Sequence, residues 1–175
     1  MFFYLHIKKS MTAELRECSD GVPFFSLEGQ ISEAKIVDVY DADSARAVLR
    51  REGGLQKFSI RLTGIDTPEK RSRNPLEKRA AKVAHARLLS LLGVEGRTRR
   101  AVRASCAESR RLVTLRCGPF DKYGRLLCEI FLGEGLEGGG TSANEELVRV
   151  GVAKRYDGGR KQRWTDEELR AIAGE

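Results

Sequence analysis

At 175 residues the chain has room for one domain with its own core and too few for two, and a hydrophobic content of 41% excludes a disordered protein. Lysine and arginine total 32 against 25 aspartate and glutamate; the net charge of +7 points to an acidic partner, with nucleic acid first among them. No apolar run is long enough to span a membrane, and the four cysteines (Cys18, Cys106, Cys117, Cys128) with two histidines form no zinc-binding spacing.

The apolar start, Met1 to Ile7, is short, and its lysines follow it rather than precede it. It does not read as a secretory signal, so an intracellular protein with reduced thiols is expected. Residues 1–33 read as a polar, loop-rich arm with one short strand near 24–27, and 34–175 as a single domain. Strands are expected at 35–40 and 45–51, on either side of the turn Asp41-Ala42-Asp43-Ser44, and at 56–65. In the third strand Phe58, Ile60 and Leu62 alternate with Lys57, Ser59 and Arg61, which places Arg61 on the face opposite the apolar set.

Residues 76–92 carry a helical stripe of Leu76, Ala80, Val83, Ala84, Leu88, Leu91 and Leu92, ended by Gly93. The stretch 93–111 reads as an arginine-rich insertion, with Arg97, Arg99, Arg100, Arg103, Arg110 and Arg111. It is either a solvated loop or an electrostatic tether for a polyanion. Strands at 112–117 and 126–132 flank the turn Phe120-Asp121-Lys122-Tyr123-Gly124-Arg125, across which Cys117 and Cys128 could face each other. Direct cross-strand disulfides are strained, so free thiols are expected there. A glycine-rich loop at 133–141 leads to a short helix at 142–150. Thr165 to Glu168 form a capping box, with Trp164 and Leu169 placed as a hydrophobic staple.

Asp43 lies in the first turn, and Asp66 and Glu69 lie in the string Arg61-Leu62-Thr63-Gly64-Ile65-Asp66-Thr67-Pro68-Glu69. Carboxylates in turns at strand ends supply the hard oxygens that calcium takes, and guanidinium groups such as Arg61 and Arg125 suit phosphate. Each motif alone has a plainer explanation as an Asx turn, a helix cap or a surface charge.

Taken in order, Asp41-x-Asp43, the Arg61 to Glu69 string, Asp121-Lys122-Tyr123-Gly124-Arg125, and Asn144-Glu145-x-Leu147-Val148-x-x-Gly151-x-Ala153 resemble the staphylococcal nuclease family. The resemblance runs from about Lys35 to Ala153. It implies an α+β fold, a five-stranded OB-fold-type β-barrel with about three helices. It also implies calcium held by Asp43, Asp66 and the backbone carbonyl of Thr67, a catalytic carboxylate in Glu69, and phosphate-gripping arginines in Arg61 and Arg125. Lys122, Tyr123 and, approximately, Tyr156 inherit contacts to substrate. The expected activity is calcium-dependent hydrolysis of DNA, preferably single-stranded, and of RNA, leaving 3′-phosphate ends, by a monomer. The alternative is a catalytically silent nucleic-acid-binding module on the same barrel. Ala42 stands where the family has glycine and Ser44 where it has threonine; alanine restricts the turn if φ there is positive. Three carboxylates converging on one metal would repel one another without it, so Asp43→Asn is expected to stabilise the metal-free chain.

Overall fold

In the computed structural model the described residues are 12–133 and 140–175; the apolar start and most of the glycine-rich loop lie outside them. β1 (Ile31–Asp41) buries Ala34 and Ile36 on one face, as its alternation dictates. A register shift between Ile36 and Asp38 then exchanges the faces, so Val39 enters the core while Asp38 faces away from the barrel interior and is still buried. β2 (Ser44–Arg51) pairs antiparallel with β1 and contributes Ala45, Ala47 and Leu49 to the core. β3 (Gly54–Leu62) follows it, with Ser44 opposite Arg61.

The third expected strand does not run on to residue 65. It ends at Leu62, and Gly64, at φ 75°, reverses the chain into the two-residue β4 (Ile65–Asp66). After the helical segments come β5 (Val113–Phe120) and β6 (Leu126–Leu132), an antiparallel pair with Cys117 opposite Cys128. Both thiols are free and buried, and burial pushes both upward. β5 also pairs with β1, and β6 pairs in parallel with β3 through Ile60–Leu126, Arg61–Leu127 and Leu62–Cys128. The order β3-β2-β1-β5-β6 is thereby closed on itself. This is the five-stranded OB-type barrel, filled by Leu49, Ile60, Leu62, Leu115, Leu126 and Ile130 among others. Two short strands, β7 (Thr141–Ser142) on β6 and β8 (Lys154–Arg155) on β4, lie outside the closed ring.

α1 (Pro75–Leu92) starts where Asn74 accepts from the Leu76 N–H and Pro75 pre-sets φ, and it stops at left-handed Gly93. α3 (Ala143–Arg149) and α4 (Asp166–Ala173) follow, the latter with the full Thr165–Glu168 capping box. Trp164, Leu169, Leu76 and Ala80 form a satellite cluster that fixes α4 on α1, as the staple predicts.

Two further expectations fail. No strand forms at 24–27; Phe24 is almost fully exposed, Leu27 is buried and Phe25 sits 6.0 Å from Phe120. The arginine-rich stretch is not a loop but contains α2 (Arg99–Glu108), capped by Thr98 and burying Val102 and Cys106 one turn apart. Its arginines do more than face water. Arg99 and Arg103 donate to the buried Asp38 at 2.8 and 3.0 Å, which seats the helix on β1. Burial alone would raise Asp38, but these hydrogen bonds outweigh it and hold the carboxyl below its ordinary value.

Candidate functional site

The β1–β2 turn and the β3 register determine what Arg61 meets. Ser44 is opposite Arg61, so Asp43, one residue earlier, lies beside the guanidinium; the Leu62 N–H donating to the Asp43 carbonyl at 2.8 Å locks the arrangement. Arg61, Asp43 and Asp66 are 8%, 9% and 5% exposed, so these are desolvated charges that require partners. Arg61 pairs with Asp43, approaches Asp66 at 3.6 Å and donates to the Ile65 carbonyl at 3.4 Å. Ser44 and Thr67 donate their hydroxyls to the two oxygens of Asp43, at 2.8 and 3.1 Å. Ser44 thus spends its hydroxyl on the buried Asp43 carboxylate. Among the described residues no non-glycine residue has positive φ, so the buried Ala42 is accommodated in its turn without strain.

Asn144 holds this corner from behind. Its amide donates to the Thr63 and Cys128 carbonyls, and its oxygen accepts from the Ile130 N–H. One buried side chain thus ties α3 to β6 and to the turn that aims Asp66. The sequence string containing Asn144 carried no role until this geometry supplied one.

Glu69 is more exposed than the aspartates and is joined to them by a residue that sequence reasoning missed. Lys161 places its ammonium 2.7 Å from Asp66 Oδ1 and 2.9 Å from Glu69 Oε1. These residues line a cavity of about 320 Å³ together with Glu77, Gln162, Arg163 and Trp164. Burial disfavours the Lys161 charge, but hydrogen bonds to Asp66 and Glu69 prevail and raise it above its ordinary value. Asp41 is a second missed neighbour. Burial first, and then the charges of Asp43 and Glu69, push it up to about 6 against the Ala42 N–H and Lys70.

Arg125 stands apart. Its guanidinium is gripped by Asp121, with Nε and NH2 both 2.7 Å from Oδ2. Lys122 and Arg125 lie 5.2 and 5.5 Å from the ring of Tyr123, which is 71% exposed on the same turn. The β3–β6 ladder brings this turn to the barrel edge beside Arg61 without placing Arg125 on the carboxylates. Tyr156 enters through β8, opposite β4. Its N–H donates to the Gly64 carbonyl at 3.0 Å, and it lines a basic pocket with Arg155 and Arg160.

Among the described residues no three of His, Cys, Asp and Glu gather as a metal cluster. Asp43 and Asp66 nevertheless share one cation, Arg61, so both carboxylates reach a common point. Two carboxylates, with the Thr67 carbonyl following Asp66 in the same turn, form a sparse all-oxygen donor set. That set fits calcium, which accepts carbonyl and water oxygens, and does not fit zinc.

A family model described as staphylococcal nuclease homologue matches residues 59–175, more than half of the chain. The matched span includes Arg61, Asp66, Thr67, Glu69, Lys122, Tyr123, Arg125 and Tyr156 and begins downstream of Asp43. No curated protein matches the chain.

Proposed function

The chain belongs to the staphylococcal nuclease homologue family, and on that premise we propose that it is a calcium-dependent nuclease hydrolysing the phosphodiester bonds of single-stranded DNA and of RNA. The family carries the coarser statement of a nuclease-like or nucleic-acid-binding function. The observation that supports catalysis is the buried Asp43–Arg61–Asp66 group with Glu69 beside it. A module that only binds polyanion has no use for buried carboxylates at its phosphate contact, since they repel the ligand.

In this mechanism Arg61 and Arg125 receive the phosphate, where their planar forks match the charge that grows on its oxygens in the transition state. Asp43, Asp66 and the Thr67 carbonyl would hold calcium, which supplies further positive charge there when bound. Glu69 accepts a proton from the attacking water as the new P–O bond forms and the P–O5′ bond breaks. The 5′ oxygen takes up a proton from solvent as it leaves, and the phosphate remains on the 3′ side. Lys122, Tyr123 and Tyr156 position the strand on either side.

The test is digestion of single-stranded DNA in calcium, in magnesium and in excess chelator. Cleavage in calcium that stops in chelator and is poor in magnesium, which demands stricter octahedral geometry, is the expected result. Tight DNA binding with no cleavage in any condition would leave a silent binding module in its place.

A further inference from the structure

Lys161 lies outside all of the family strings, yet it touches two of the carboxylates they contain. It comes from the segment between β8 and α4, and both ends of that segment are tied down. Tyr156 donates its N–H to Gly64 and its hydroxyl to the Gly159 carbonyl at 2.9 Å. At the other end Lys154 donates to the Arg163 carbonyl at 3.1 Å and pairs with Glu168 inside the α4 capping box. The chain therefore delivers the Lys161 side chain to the cavity wall, with Trp164 beside it.

What the ammonium does there follows from charge. Arg61 compensates Asp43 and stands 3.6 Å from Asp66, which leaves the buried Asp66 dependent on a second cation. Lys161 supplies it and spans to Glu69 at the same time. Its side chain is 45% exposed, so it can swing into water without unpacking the core.

We propose that Lys161 is a placeholder cation, which occupies the carboxylates of Asp66 and Glu69 in the metal-free protein and must leave Asp66 for calcium to enter. Lys161 is a positioning residue, because it acts through Asp66 and Glu69. A divalent cation and an ammonium cannot share Asp66 cheaply, since like charges at such separation repel in a partly dry site. Departure of Lys161 also frees the Glu69 oxygen it was holding, so metal uptake and release of the general base become one linked event. The inference rests on the calcium-dependent function proposed above.

The experiment is calorimetric titration of calcium chloride into the chelator-stripped full chain, comparing the parent, Lys161→Gln and Lys161→Arg. Lys161→Gln should bind calcium about tenfold more tightly, because the competing charge is gone, and Lys161→Arg should stay within about twofold of the parent. In chelator, Lys161→Gln should melt below the parent, and calcium should raise its melting temperature by more than it raises the parent's. Equal or weaker calcium binding by Lys161→Gln, with the parent binding and cutting normally, overturns the placeholder role alone. Tightening in Lys161→Arg equal to that in Lys161→Gln overturns it too, since charge would then not be the cause. Absence of calcium binding in all three overturns both this role and the metal-dependent nuclease.

Discussion

Glu69 and Asp43 are both carboxylates of the same corner, yet their surroundings assign them opposite sensitivities. Glu69 is exposed and among the described residues its carboxylate is held by Lys161 alone, so Glu69→Gln should leave folding and DNA binding intact while lowering turnover by about a hundredfold or more. Single-turnover cleavage beside a binding titration checks this. Asp43 is buried against Arg61, which reverses the expectation drawn from three carboxylates repelling one another. With Arg61 and Lys161 interposed, Asp43→Asn removes an attraction. The calcium-free variant should lose about 2 kcal/mol in a denaturant titration, because the buried guanidinium is left less compensated. Asp43, Arg61 and Asp66 were legible because strand periodicity and one register bring them together over short chain distances. Lys161 was not, because nothing in the residues near 161 encodes a contact that spans 92 positions to Glu69.

The arginine-rich segment shows how composition can hide an element. Its buried stripe is only Val102 and Cys106, four residues apart, too little for periodicity to register among so many charges. The same spacing puts Arg99 and Arg103 on Asp38, so the arginines divide into two kinds. Replacing Arg99 and Arg103 with serine should destabilise the protein, whereas replacing the exposed Arg97, Arg100 and Arg110 should leave stability unchanged and flatten the salt dependence of DNA binding. A shared rather than divided outcome in the two measurements would mean that α2 is not seated by Asp38. The α1–α3 contact has its own pH signature. Hydrogen bonds from Arg149 and then Arg87 lower Glu146 from 4.5 to about 2. A depressed carboxylate contributes stability that is present above its unfolded pKa and is lost as pH falls through the folded one. The stability gap between the parent and Glu146→Gln should therefore be flat above about pH 4.5 and close toward pH 2. A gap that persists at pH 2 would mean that packing, not charge, joins these helices.

Across the whole molecule the barrel strands came through in sequence, because alternation and turn residues act locally, whereas the early end of β3 at Leu62 did not and closure followed from the resemblance alone. The expected strand near 24–27 failed for the complementary reason. Two adjacent phenylalanines favour extended chain, but the turn closed by the Gln30 N–H on the Leu27 carbonyl ends the pairing with β5 at Gly29–Gln30, leaving Phe25 to pack on Phe120 as a side chain alone. The parallel ladder from β3 to β6 also has a consequence in time. Among the barrel strands, every antiparallel pair except β1–β5 joins strands that follow each other closely along the chain, whereas Ile60, Arg61 and Leu62 must find Leu126, Leu127 and Cys128 beyond two helices and a hairpin. Such a contact carries its loop-closure cost before any pairing rewards it, so the ring should shut late. In a stopped-flow refolding experiment the far-ultraviolet helix signal should return first. The DNA cleavage proposed above, which would need Arg61 locked against its neighbours, should lag behind it, and for that interval the protein would be helical, collapsed and inert.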